Sequence, residues 1–163
     1  MAFVTEDGTG LAEANSYVSV AEADAYHADR GNAAWIGEDS AKQSALIKAT
    51  DYLEQTYGRR WKGERLYADQ ALEWPRTVDA LLPKAIKSVT CLLALEAIEG
   101  VDLNPTLGRA IKREKVDVIE TEFMDNAAPT NTRPAIDGLL LATGYLTSSA
   151  AWGVPGNGKV IRV

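Results

Sequence analysis

Little in this 163-residue chain can hold a metal or form a covalent intermediate. A single cysteine, Cys91, excludes an intramolecular disulfide and any cysteine metal cage. A single histidine, His27, excludes the multi-histidine zinc sites. No run of eighteen apolar residues exists, so no transmembrane helix is predicted. The first ten residues are acidic and glycine-bearing, with no basic stretch leading into an apolar one, so no secretory signal is predicted. Bases are in the minority: 17 Lys and Arg stand against 23 Asp and Glu, giving a net charge of −6. That balance argues against a protein whose main task is gripping phosphates, because such binding is driven by Lys and Arg. Internal repeats are absent. What remains is ordinary: 46% hydrophobic and 25% charged residues, in a length that can bury one core. Composition predicts a cytosolic acidic domain without metal or cofactor.

Four helices are predicted. Ser19 followed three residues later by Glu22 is a capping box, and opens a helix over about Val20 to Arg30, stopped by Gly31. Ala21, Ala25 and Ala28 share one face and suggest close packing there. Asp39 or Ser40 caps a second helix over about Ala41 to Tyr57, with Leu46, Ala49, Leu53 and Tyr57 as its apolar stripe and Gly58 as its C-terminal stop. A third runs from about Pro83 to Glu99, with Ile86, Val89, Leu93 and Ala97 in line. Its apolar surface is broad, which places it centrally. A fourth runs from Pro134 to about Tyr145, with Ile136, Leu139, Leu140 and Thr143 turned inward.

Between the third and fourth helices the period changes. Ile119, Thr121 and Phe123 alternate with polar residues, which predicts a half-buried strand within a hairpin at about 107–124. Opposite charges facing each other across it would add about 0.2–1 kcal/mol per pair. Residues 147–163 are rich in Ser, Gly and Ala and end in Lys159-Val160-Ile161-Arg162-Val163, which reads as a flexible C-terminal arm with a β-prone tip. The expected architecture is mainly α: a small bundle of about four helices over 1–146, carrying one β-hairpin and an extended arm.

Catalytic constellations are thin. His27 on a helix reads better as a surface or satisfied histidine than as a general base. Cys91 among apolar residues reads as an inert buried thiol. Glu120 and Glu122 read as the solvated face of a strand. Asp7-Gly8-Thr9-Gly10 lacks the strand before it and the helix after it that a phosphate loop needs. No enzyme is predicted.

Two features suggest contacts instead. Arg59, Arg60, Trp61, Lys62 and Arg65 interleave basic and aromatic residues, with Tyr57 and Tyr67 flanking and Trp74 further on. Aromatic plus basic is the recipe for binding single-stranded nucleic acid. The competing reading is that Trp61 and Trp74 pin a long loop to the bundle. The arm is the second feature. Val160, Ile161 and Val163, with Trp152, Lys159 and Arg162, could add a strand to a partner's sheet edge, or pair at home.

Several blocks together resemble a known family. They are Val4-Thr5-Glu6-Asp7-Gly8-Thr9-Gly10, Ala14 to Ser19, Ala21 to Gly31, Ala49-Thr50-Asp51-Tyr52-Leu53, Arg60-Trp61-Lys62-Gly63, Gln70 to Arg76, and Arg113-Glu114-Lys115-Val116. The chain from Phe3 to Tyr145 is similar to tailed-phage head–tail adaptors, or connectors, whose members are often labelled DnaT-like single-stranded-DNA-binding proteins. The resemblance implies a non-catalytic virion protein of the phage neck, assembled in the host cytoplasm. It implies a ring, commonly of twelve copies, beneath the capsid portal. Implied partners are the portal protein, neighbouring copies, a distal tail or neck protein, and double-stranded DNA passing through without specific binding; no membrane is implied. On this reading the arm docks on the portal. The alternative that the label implies is a single-stranded-DNA-binding protein of phage replication.

Overall fold

Ser19 sets the start of the first helix. Its hydroxyl accepts from the Glu22 amide at 3.2 Å while the Glu22 carboxylate accepts from the Ser19 amide at 2.9 Å. Two of the orphan donors at the helix start are thereby satisfied. In the computed structural model, which describes residues 2–105, 111–115, 120–123 and 133–147, the element order is α1 (Val20–Ala28), α2 (Asp39–Tyr57), a short 3-10 turn (Gly58–Arg60), α3 (Lys84–Ile98), β1 (Ile111–Lys115), β2 (Glu120–Phe123) and α4 (Pro134–Ala142). The protein is mainly α, built on four helices, as the sequence predicts.

The predicted stripes of α2 and α3 form the centre. Leu46, Ala49, Leu53 and Tyr57 are all buried, and face Ile86, Val89 and Leu93, while Ala97 is only partly covered. Each large aliphatic side chain sequestered there contributes roughly 1.5–3 kcal/mol. α4 closes the bundle through Ile136 and Leu140. Tyr57 donates to Asp137 at 2.7 Å, tying α2 to α4. Arg133 pairs with Glu96 at 2.9 Å, donates to the Leu103 carbonyl at 3.0 Å and lies over the Tyr52 ring.

Three expectations need correction. The alanine face of α1 is not its packing face: Ala21, Ala25 and Ala28 are exposed, and Ala23 and His27 are buried. Leu139 on α4 points outward at 41% exposure. Gly58 does not stop α2 in a left-handed conformation. Its φ is −47°, and the chain runs on into the 3-10 turn.

β1 and β2 pair antiparallel, with Arg113 opposite Glu122 and Lys115 opposite Glu120. The rest of the 107–124 hairpin expectation lies outside the described residues. So does the arm expected over 147–163 beyond Thr147, with Trp152, Lys159, Val160, Ile161, Arg162 and Val163.

Candidate functional site

The segment that the sequence singled out, Arg59 to Arg76, is held by its own buried polar groups. Arg76 is the chief of them. Its Nε donates to the Lys62 carbonyl at 3.0 Å, and its terminal nitrogens reach the Glu73 carbonyl at 3.2 Å, the Gly63 carbonyl and the Glu73 carboxylate. A guanidinium fork suits this task because its donors are fixed in one plane. Gln70, also buried, donates to the carbonyls of Leu72 and Pro75 at 2.7 and 3.0 Å and accepts from the Tyr67 amide at 2.9 Å. The Trp74–Pro75 peptide is cis.

The two tryptophans face inward. Trp61 is 6% exposed and Trp74 is fully buried. They meet edge to face at 5.7 Å between centroids, in a row that runs from Tyr57 through Trp61 and Trp74 to Tyr145. Such aromatic contacts add about 0.5–1.5 kcal/mol each beyond their area. The backbone confirms the docking: Lys62 donates to the Tyr145 carbonyl and Thr147 to the Arg60 carbonyl, both at 2.8 Å, around the Trp61–Leu146 bridge. Neither indole can stack on a base without leaving the core.

The cations are the accessible part. Arg59, Lys62 and Arg65 are exposed. Arg60 is half-buried, over the Tyr57 ring at 5.3 Å. Lys62 Nζ donates to the Gly144 carbonyl at 2.7 Å, and Arg65 donates to the Gln70 carbonyl at 3.0 Å. Tyr67, at 45% exposure, is the one aromatic of this stretch with substantial surface. Its ring lies where a side chain on Gly10 would stand, and Gly10 has φ +73°. So the structure gathers Arg59, Arg60, Lys62 and Arg65 at the surface and separates them from Trp61 and Trp74.

The glycine-bearing loop at the N-terminus does gather backbone donors, but its own side chain takes them. Glu6, buried, accepts from the amides of Gly8 and Gly10 at 2.8 and 2.9 Å and of Leu11 at 2.9 Å. Sequence reasoning passed over Glu6 and Arg76. The signal for each was faint: a charged residue beside glycines, and an arginine beside a Trp-Pro pair.

His27 stacks on Trp35 at 4.5 Å and its Nδ1 sits 2.9 Å from the Asn32 amide nitrogen. Burial, foremost, lowers its pKa below the ordinary 6.5. Burial likewise pushes the Cys91 thiol up to about 12, far from the thiolate that a nucleophile needs. Among the described residues no cluster of three His, Cys, Asp or Glu side chains is placed to hold a metal. No described helix is long and apolar enough to cross a membrane.

A family model described as "Putative DnaT-like ssDNA binding protein" matches residues 1–162. No curated protein and no solved structure matches the chain.

Proposed function

Since the chain belongs to the DnaT-like ssDNA-binding family, we propose within that membership that it is a non-enzymatic structural protein, a head–tail adaptor that sits as a ring under the capsid portal of a tailed phage and joins it to the tail. The observation that carries the proposal is the burial of Trp61 and Trp74. The segment with the composition of a strand-binding platform is a structural insert, and its aromatic rings serve the core. The net charge of −6 supports the same reading. An acidic subunit repeated around a channel repels phosphate, so DNA slides through without sticking. The motif blocks between Phe3 and Tyr145 that resemble adaptors supply the partner classes: portal, neighbouring copies and a distal neck protein.

The direct test is quantitative mass spectrometry of purified particles, referenced to the portal protein. A ratio near one copy per portal subunit is the expected result. Absence from the particle, with the protein abundant in infected cells, would overturn the proposal. Ending the chain near Ser149 is expected to abolish portal binding while leaving the helical circular dichroism unchanged.

The family's own description favours a second reading, single-stranded DNA binding. Its surface would be the exposed cations Arg59, Lys62 and Arg65 with Tyr67, and not the two tryptophans. A single available ring and three exposed cations make a small footprint for that task.

A further inference from the structure

The outward face of α4 lacks the polar side chains that a surface helix ordinarily carries. Ala135, Gly138, Leu139, Leu141 and Ala142 are all exposed. Asp137, the one polar side chain of the helix, is taken by the Tyr57 hydroxyl at 2.7 Å. A Cβ on Gly138 would meet nothing within 4 Å, so the face is open. Beside it α3 presents Leu92 and Leu95, both half-buried, and the two helices enclose a groove of about 390 Å³. Leu92, Leu95, Ala135 and Ile136 line it, with Glu96 and Arg133 in its wall. Sites that take a ligand span roughly 300–1,000 Å³. Leu139, one turn beyond Ala135, carries the apolar surface on from the groove.

The polar part of the groove is acidic. Arg133 places its Nε and one terminal nitrogen on the same Glu96 oxygen, Oε2, at 3.1 and 2.9 Å, which leaves Oε1 to accept from elsewhere. Glu99 follows one turn along, exposed at the end of α3. A segment that combines aliphatic side chains with cations suits both the lining and the rim.

Residues 148–163, which lie outside the described ones, have that composition. They carry Trp152, Val154, Val160, Ile161 and Val163, with two cations, Lys159 and Arg162, and no acid, in a chain whose net charge is −6. Their tether starts within reach. The Thr147 amide donates to the Arg60 carbonyl at 2.8 Å, shortly after α4 ends at Ala142. Extended chain from Thr147 to Val160 spans up to about 45 Å, against about 14 Å for the length of α4. So short a tether keeps the segment near the groove at an effective concentration of order millimolar, which a second copy reaches only in concentrated solution.

We propose that the groove between α3 and α4 seats this chain's own C-terminal segment, with Val160, Ile161 and Val163 as anchors and Lys159 or Arg162 turned toward Glu96. The seat belongs to the free subunit; a portal that takes the arm would draw it off the groove.

Paramagnetic broadening in the full chain tests the seat. A nitroxide attached through Gly156→Cys marks the segment, since Cys91 is buried. Outside residues 144–163, the amide resonances of Leu92, Leu95, Ala135 and Leu139 are expected to broaden most. Ile161→Asp in the labelled chain should remove most of that broadening, because burying one large aliphatic side chain is worth about tenfold or more in a docking equilibrium. Ala135→Glu, on the exposed face, should act likewise from the groove's side. A mixed sample, with nitroxide and observed nuclei on different copies, should show no broadening there. Broadening without preference for these four residues, or unchanged by both substitutions, would overturn the proposal. So would equal broadening in the mixed sample, which would give the groove to a second copy.

Discussion

Arg76 shows how much a single side chain can organise in an irregular stretch. Three carbonyls and one carboxylate answer to it, and no regular ladder crosses the segment to replace those bonds. Arg76→Ala is expected to destabilise the protein by about 2 kcal/mol, since it strips donors from three part-buried carbonyls and unpairs Glu73. Urea unfolding measures it. Arg76→Lys should recover little, because an ammonium cannot span the same acceptors in one plane. Cys91 gives a second test at this scale. Its thiol, buried and raised to about 12, should resist a thiol-reactive dye at pH 8 in the native protein and react promptly in denaturant. The buried, inert nature of this cysteine was legible from its apolar neighbours in sequence. The inward turn of Trp61 and Trp74 agrees with the reading that they pin a long loop to the bundle, but their partners were not legible, because the Tyr145 ring that packs against Trp74 lies far along the chain and a pattern of local residues carries no trace of it.

Elements were legible where burial is one-sided and strong. The stripes of α2 and α3 repeat at helical spacing over several turns, and their side chains form the core. α1 was misread for a physical reason. Alanine is small enough to lie on either face at little cost, and the residue that fills the inner face is His27, whose polarity hid it. α4 is apolar almost all round, so period alone could not separate inward Leu140 from outward Leu139. Caps were clearer. Ser19→Ala should cost about 1 kcal/mol by removing one half of the capping box, read as a lowered thermal midpoint. Gly63 marks a tighter constraint in the tryptophan segment. Its φ is +72°, and a methyl there would stand 2.7 Å from the Thr77 hydroxyl and 2.8 Å from Val78 Cγ1. Gly63→Ala is expected to destabilise by about 1–3 kcal/mol through backbone strain and that collision, again by urea unfolding.

For the molecule as a whole, charge and burial point the same way. The chain is acidic, and the aromatic rings that would have compensated by stacking on bases are enclosed. Family membership brings a description in terms of single-stranded DNA, and among the described residues the 59–67 stretch offers that role three exposed cations and one exposed tyrosine. On this reading the tryptophan segment is a structural insert rather than a strand-binding platform. Titration of the intact protein with a fluorescent oligothymidine at several salt concentrations tests it most directly. No saturable binding at 50 mM salt and no quenching of tryptophan emission are expected. Micromolar binding whose log affinity falls linearly with log salt, at a slope of about −0.7 per phosphate neutralised, would contradict the reading, and tryptophan quenching that is lost in Trp61→Phe or Trp74→Phe would place that ring at the strand after all.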